Sequence, residues 1–242
     1  PDSRSNVASN ALRGSVAKTF LLCHPHNPTG RVWTEDELWQ IAALAEKHDL
    51  VVCSDEIHNG LLLDPGCRHR VFATLSPELA ARTITLMAPS KTYNIPGLGA
   101  AFAIISDPAL RRRFHAAMHG IVPHVNALGM AAMEAALAQC DDWHAALLDY
   151  LRGNARTLER TVAALPGLDM RPIEATYLAW IDARDFAADH GVDNPVRHFE
   201  QHGLGLSDGA EFGAPGFVRL NFGTRRVLLD EALARLARAV RC

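Results

Sequence analysis

Three polar side chains that each follow a short apolar run carry the strongest chemical signal in the sequence. Asn27 lies in the loop sequence HPHNPTG, Asp55 comes shortly after the run LVVC, and Lys91 comes shortly after the run TITLM. A lysine amine forms an imine with an aldehyde, a carboxylate keeps a nearby ring nitrogen protonated, and an amide donates a hydrogen bond to an oxygen anion. Lys18 and Lys47 are the other lysines, beside 21 arginines, so lysine chemistry has three candidates.

The segments around these residues alternate between strand-like and helix-like patterns. Apolar runs predict four strands, at 19–23, 50–53, 83–87 and 100–105. The capping-box spacing of Thr34 and Glu37, followed by apolar residues at helical spacing, predicts a helix over 35–48. Apolar strands separated by helices or long connections favour an α/β domain with a mostly parallel sheet, in which ligands bind at the carboxyl ends of the strands.

From Asp141 onward the pattern changes to that of a smaller α+β domain. It predicts helices at 141–165, at 194–202 and at the C-terminus, and strands at 176–182, 204–207 and 216–221. We therefore assign 1–17 to a flexible N-terminal segment, 18–145 to a first domain and 146–242 to a second.

Composition argues against several classes of protein. The 242 residues are 48% hydrophobic, enough for a sizeable core, and the net charge of −3 gives no basic field for nucleic acid. The run Arg111–Arg113 lies in a helix-like stretch and is interpreted as a solvated helix face. No apolar stretch approaches the roughly 18 residues that span a bilayer, and we expect a cytoplasmic protein without a membrane partner.

The cysteines and histidines offer a metal site as an alternative. Cys23, Cys53, His24, His26 and His58 include two histidines two residues apart, but the set has no recognised metal-ligand spacing. The five cysteines form no CxxC pair and are interpreted as reduced, packed thiols. We expect no metal.

Each of these three residues, taken singly, has an ordinary explanation. Asn27 could be a turn residue, Asp55 a helix cap and Lys91 a surface lysine. Their order along the chain matches what pyridoxal 5′-phosphate (PLP) requires: a donor for the phenolic oxygen, a carboxylate for the ring nitrogen and an amine for the imine.

Four longer motifs carry a resemblance to a known family. They are LLCHPHNPTGRVW (21–33), VVCSDEIH (51–58), APSKTYNIPGLGAA (88–101) and FVRLNFG (217–223). Residues 18–242 resemble the later part of a fold-type I, class I/II aminotransferase-like enzyme. NPTGRVW, SDEIH, NIPGL and TYLAW (176–180) are most similar to the cystathionine β-lyase or cysteine-S-conjugate β-lyase branch, the MalY/PatB group.

This resemblance implies PLP as cofactor and a role for each matched residue. Lys91 would hold the cofactor and take the Cα proton, and Asp55 would pair with the pyridine nitrogen. Asn27 would bind the phenolic oxygen and lie near the substrate, and Arg219 would bind the substrate α-carboxylate. Ser90 would contact the phosphate.

His58 takes the position at which many transaminases of the family have a tyrosine that contacts the cofactor. The sequence leaves two roles open for this histidine, cofactor contact and packing. Ala88 and Gly99 depart from the common family pattern, which has Ser or Gly and a phosphate-binding Arg at these positions. The resemblance also implies that the family's N-terminal part is missing, so that the first domain is a partial PLP-binding large domain with an unpaired sheet edge.

The leading functional hypothesis is α,β-elimination on cystathionine or a related cysteine-type amino acid, giving pyruvate, ammonia and a thiol. An aminotransferase is the nearest alternative, because it would use the same Lys91, Asp55 and Arg219. An inactive fragment or a non-catalytic effector-binding domain is an alternative of another class. By resemblance, the full-length enzyme is expected to be a homodimer that binds a small amino-acid substrate.

Overall fold

The computed structural model describes residues 17–241 and divides them into two compact units. The first unit comprises 17–25, Val32–Gly60 and Arg68–Asp141. The second comprises His26–Arg31, Leu61–Cys67 and 142–241. The flexible segment predicted for 1–17 lies, apart from Ala17, outside the described residues, and the domain assignment of 18–145 and 146–242 stays a prediction.

A four-stranded sheet forms the centre of the first unit. Its strands are β1 (Thr19–Cys23), β2 (Val51–Asp55), β3 (Thr83–Met87) and β4 (Phe102–Ile104), and they are ordered β1-β2-β3-β4. β1, β2 and β3 pair in parallel, whereas β4 is antiparallel to β3. The predicted mostly parallel sheet is confirmed, and the carboxyl ends of β1, β2 and β3 lie at one edge.

The strand predicted at 50–53 begins one residue later and continues to Asp55. The ladder with β1 extends through the pairs Leu22↔Ser54 and Cys23↔Asp55, so backbone hydrogen bonds and not apolar character set its end. The predicted strand at 100–105 is likewise shortened to Phe102–Ile104.

The described part of the first unit also contains five α-helices. They are α1 (Glu35–Lys47), α2 (Pro77–Ala81), α3 (Pro89–Thr92), α4 (Pro108–Met118) and α5 (Ala127–Gln139). The predicted capping box opens α1, since Thr34 and Glu37 bond reciprocally, and the apolar face of α1 packs into a core with Leu22, Leu50 and Val52. Arg111–Arg113 lie exposed on α4, which confirms their interpretation as a solvated helix face.

The second unit is built on an antiparallel sheet covered by helices. Its strands β5 (Asp169–Met170), β6 (Leu178–Asp182), β7 (Ser207–Asp208) and β8 (Phe217–Asn221) are ordered β5-β6-β8-β7. Its helices are α6 (Asp141–Ala163, which starts at the unit boundary), α7 (Arg184–His190), α8 (Pro195–Gln201) and α9 (Arg226–Ala239). One hydrophobic core joins the sheet to α6 and α9.

Two predicted strands of this unit differ from the structure. The strand predicted at 176–182 starts only at Leu178, because Thr176 has a φ of +69°, which a strand ladder does not accommodate. The strand predicted at 204–207 lies about three residues too early, since the N–H of Leu204 bonds back to the carbonyl of Phe199 and completes the end of α8. The strand forms instead at Ser207–Asp208. Within 17–241, no helix is long and apolar enough to cross a membrane.

Candidate active site

Lys91 lies on the single-turn helix α3, which begins two residues after the end of β3. Ala88 is extended and Pro89 occupies the first helical turn, where its missing N–H costs no hydrogen bond. The carbonyl of Pro89 accepts from the N–H of Tyr93 at 2.8 Å, and the carbonyl of Ser90 accepts from that of Ile95 at 3.1 Å. These bonds hold the half-buried Ser90 and Lys91 at the carboxyl edge of the sheet.

Asp55 is the last residue of β2, on the strand next to β3. Its carbonyl accepts from the N–H of His24 at 2.9 Å, and its Oδ1 accepts from the N–H of Ile57 at 3.3 Å. Asp55 also lines an apolar cavity of about 380 Å³ with Leu86 and Phe102 among its walls. Two neighbouring parallel strands therefore lead to the predicted residues: β2 ends at the carboxylate of Asp55, and β3 is followed by the short helix that contains Lys91.

A buried polar cluster, which the sequence analysis missed, directly follows Asp55. Glu56 is fully buried, and its carboxylate accepts from Ser54 Oγ at 2.7 Å, from the N–H of Phe72 at 3.1 Å and from Nε2 of His69 at 2.7 Å. The His69 ring stacks on that of His24, with the ring centroids 4.2 Å apart. His58, on the turn after Glu56, is 4% exposed.

The second unit contains Asn27 and Arg219. Nη1 of Arg219, on β8, donates to Oδ1 of Asn27 at 2.8 Å, and Nη2 donates to Oγ of Ser207 on β7 at 3.0 Å. The Arg219 guanidinium carbon lies 4.8 Å from the centroid of the Phe212 ring. Ser207 and Phe212 were not singled out in the sequence, because a serine and a phenylalanine twelve and seven residues before Arg219 follow no motif.

The loop that presents Asn27 is closed by two backbone hydrogen bonds, from His26 to Arg31 and from Gly30 to His26, both at 2.8 Å. Gly30 has a φ of +68°, and a Cβ there would lie 3.1 Å from the carbonyl oxygen of Leu178. Both the left-handed conformation and this close approach explain why the loop has glycine at this position.

The predicted site residues are thus distributed over both units. Asp55, His58, Ser90 and Lys91 belong to the first unit. Asn27 and Arg219 belong to the second unit, where they are hydrogen-bonded to each other.

Two of the histidines considered as metal ligands make other contacts. Nε2 of His24 donates to the carbonyl of Arg70 at 3.1 Å, and Nδ1 of His26 is hydrogen-bonded to Oγ1 of Thr29 at 2.7 Å. Across the described part of the chain, no group of three or more His, Cys, Asp or Glu side chains could hold a metal ion. Four of the five cysteines fall within that part, and all four are free thiols.

Residues 6–236 match the family model for aminotransferase class I and II. The chain belongs to this family. Among relatives, it is 35% identical to cystathionine β-lyase PatB of Bacillus subtilis, with 91% of the chain and 58% of PatB covered. It is 36% identical to protein MalY of Escherichia coli, with 93% of the chain and 57% of MalY covered. The resemblance inferred from the four motifs is confirmed.

Solved structures of this aminotransferase family agree with the fold. The crystal structure of OvoB superposes with a TM-score of 0.90 at 48% identity and covers 96% of this chain and 61% of OvoB. The PLP-bound carbon–sulfur lyase of Staphylococcus hominis gives a TM-score of 0.90 at 28% identity and covers 98% of this chain and 62% of the lyase. The chain therefore spans about three fifths of the length of these relatives, and the predicted fold class is confirmed.

The residues of the first unit fit PLP, the cofactor of this family. The carboxyl edge of the sheet offers an amine at Lys91, a carboxylate at Asp55 and a hydroxyl at Ser90, which are the donor and acceptor types that an aldehyde, a ring nitrogen and a phosphate require. Gly99, one of the two departures from the family pattern noted in the sequence, has a φ of +60°. This left-handed conformation favours glycine at that position.

Proposed function

We propose that this chain belongs to a PLP-dependent carbon–sulfur β-lyase that cleaves the Cβ–S bond of cystathionine or a related cysteine-type amino acid. The observation that carries the proposal is the placement of Asp55 and Lys91 after neighbouring parallel strands, β2 and β3, at one edge of the sheet. The names of PatB and of the Staphylococcus hominis lyase support carbon–sulfur cleavage as the reaction.

PLP, when bound, supplies an aldehyde that captures amines and a ring that accepts the electrons of a Cα carbanion. Lys91 would hold it through Nζ and, once released by the substrate amine, would take the Cα proton on the same atom. Asp55 would keep the ring nitrogen protonated, since a carboxylate favours a neighbouring cation. Ser90 would donate to the phosphate, and His58 would border the ring.

In the second unit, Arg219 would bind the α-carboxylate of the substrate. Its planar guanidinium matches the two carboxylate oxygens, which a lysine ammonium does not. Asn27 holds one end of this guanidinium through a 2.8 Å hydrogen bond, and its amide would in addition donate to the phenolic oxygen of the cofactor.

The reaction balances without an oxidant or a reductant. The Cα–H bond breaks and Lys91 takes the proton, after which the Cβ–S bond breaks and its electron pair leaves with the thiolate sulfur. The thiolate takes a proton to become a thiol. The remaining three-carbon enamine adds water and loses ammonia to give pyruvate.

An aminotransferase is the second candidate, because relatives of this chain carry that name as well. The asparagine–oxo-acid transaminase of Streptococcus mutans is 27% identical over 230 residues. Lys91, Asp55 and Arg219 would serve that reaction equally, since the two reactions differ in where the Cα proton goes. The homodimer, the cytoplasmic location and the two-domain assignment stay predictions.

Separate incubations distinguish the two reactions. The purified chain, incubated with PLP and cystathionine, is expected to release pyruvate and a thiol in equal amounts, measured with lactate dehydrogenase and with a thiol reagent. Exchange of amino groups that depends on an added 2-oxoacid, without thiol release, would overturn the lyase proposal in favour of the transaminase. Lack of both activities together with lack of visible PLP absorbance would favour a non-catalytic chain.

A further inference from the structure

Aromatic and cationic side chains form a continuous stack in the second unit. The Arg184 guanidinium carbon lies 4.9 Å from the centroid of the Phe217 ring, which stacks on Trp180 at 5.4 Å with an interplanar angle of 14°. Trp180 meets Phe212 edge-to-face at 5.7 Å, and the guanidinium carbon of Arg219 lies 4.8 Å from the centroid of the Phe212 ring. Each contact lies within the distances at which aromatic pairs and cation–π pairs attract.

The antiparallel pairing of β6 and β8 explains why these side chains meet. Trp180 lies opposite Arg219, and Asp182 lies opposite Phe217, so all four belong to one face of the sheet. The alternate residues of the two strands, Ala179, Ile181, Val218 and Leu220, are buried in the core. One face of this sheet therefore stabilises the unit, and the other carries the stack.

The two ends of the stack have different surroundings. Arg184 is exposed, and its guanidinium donates two hydrogen bonds to Asp182, which hold the pKa of that carboxyl below its ordinary value. Arg219 is half-buried and hydrogen-bonded to Asn27 and Ser207. The stack therefore ends at Arg219, the residue that we propose binds the substrate α-carboxylate.

One short segment supplies two of the partners of Arg219. Ser207 pairs with Arg219 in the β7–β8 ladder, and Phe212 ends the 3₁₀ turn Gly209–Phe212 that follows β7. Asp208 caps this turn by accepting from the N–H of Ala210 at 2.9 Å. A side chain on Gly209 would collide with the carbonyl of Phe217, so the turn packs closely on β8.

We propose that Phe212 is a positioning residue that fixes the plane of the Arg219 guanidinium for the substrate α-carboxylate. A ring over the guanidinium face uses none of its N–H donors, which all lie in the plane and are what a carboxylate requires. Phe212 therefore orients Arg219 without competing with the substrate, while Ser207 and Asn27 fix the rotation within the plane. The inference rests on the carboxylate role proposed for Arg219.

Substitutions at Phe212 test the inference. Phe212→Leu, which removes the ring at a 39% exposed position, is expected to raise KM for cystathionine about tenfold, with kcat within about twofold of the unchanged chain. Phe212→Tyr retains the ring and is expected to rescue KM. Ser207→Ala, from the same segment, is expected to raise KM in the same way and serves as the second variant if Phe212→Leu does not fold.

A nuclear magnetic resonance measurement without cofactor provides an independent readout. The Nε–Hε signal of Arg219, identified by its loss in Arg219→Lys, is expected to shift in Phe212→Leu because the ring current of Phe212 is removed, and to remain in place in Phe212→Tyr. A signal that does not move in Phe212→Leu, together with an unchanged KM, would overturn the positioning role. If instead Arg219→Lys itself leaves KM unchanged, the carboxylate role of Arg219 is the part that fails.

Discussion

Nε2 of His69 donates a 2.7 Å hydrogen bond to Oε2 of Glu56, a fully buried residue that directly follows Asp55 in the chain. Ser54 Oγ and the N–H of Phe72 donate to the other carboxylate oxygen. Glu56 thus ties the end of β2 to the loop that contains His69 and Phe72, and it fixes the backbone that carries Asp55. Burial of a carboxylate costs free energy unless hydrogen-bond donors replace its hydration, so each of these three donors contributes to stability.

We therefore expect Glu56→Ala to destabilise the chain by about 3–5 kcal/mol, because it leaves buried donors without an acceptor. Glu56→Gln is expected to cost less, since its carbonyl oxygen can still accept from Ser54 and Phe72. Urea unfolding followed by circular dichroism measures both. Glu46→Ala, at an exposed position of α1, is the matched control and is expected to change stability by less than about 0.5 kcal/mol. Equal losses for Glu56→Ala and Glu46→Ala would contradict the buried network.

The cluster around Glu56 could not be predicted from the sequence. Asp55 and Lys91 could be located because each follows an apolar strand, and strand ends in a parallel sheet meet at one edge. His69 could not, because it lies thirteen residues from Glu56 in a segment without periodicity, and only the fold brings the two together. Phe212 was missed for the same reason: its contact with Arg219 depends on a turn, not on a motif.

The strand ends show the same division between local and tertiary signals. The capping box of α1 is local and was predicted to within one residue at the helix end. The first residue of β6 depends on the left-handed backbone of Thr176, a conformation that a β-branched residue rarely adopts and that its sequence neighbours do not indicate. Local patterns therefore located the elements, and tertiary contacts decided where they end.

Lys91 is expected to be the single site of covalent cofactor attachment. Borohydride reduction of the PLP-treated chain, followed by intact-mass and peptide analysis, should find one added phosphopyridoxyl group, on Lys91. Lys91→Ala is expected to abolish both this mass and the visible absorbance of the bound cofactor. Lys47→Ala, an exposed substitution in the last turn of α1, should leave both unchanged. Labelling of Lys47 or Lys18 at the level of Lys91 would contradict the assignment.

A side chain at Gly60 is expected to reduce stability, because Gly60 lies against the helix that carries Lys91. A Cβ at Gly60 would lie 2.6 Å from Oγ1 and 2.7 Å from Cγ2 of the buried Thr92. Gly60→Ala should therefore displace Thr92, cost about 1–3 kcal/mol of stability and lower PLP occupancy at Lys91, measured by thermal unfolding and by absorbance.

Gly97→Ala is the matched control for Gly60→Ala, since a Cβ at Gly97 would meet nothing within 4 Å. It is expected to change neither the melting temperature by more than a few degrees nor the PLP occupancy. If Gly60→Ala binds PLP as well as Gly97→Ala does, the packing of Thr92 does not control the position of Lys91.

Cys67 is expected to react slowly with iodoacetamide near neutral pH. Burial, followed by the carboxylates of Glu174 and Asp64, raises the pKa of its thiol from 9.0 to about 11. The thiolate is the reacting form, so at pH 8 alkylation should be about 100-fold slower in the folded chain than in urea, and its rate should rise about tenfold per pH unit up to pH 11. Below pH 9 the thiol is neutral in both the folded and the unfolded chain and does not affect stability. Between pH 9 and 11 it ionises first in the unfolded chain, so the stability of the fold falls as pH rises.

Asp64→Asn should lower the pKa of Cys67 and speed alkylation, whereas Asp149→Asn, at an exposed carboxylate on α6, should not. Equal alkylation rates at pH 8 in the folded and urea-unfolded chain would show that the thiol is not held neutral by its surroundings.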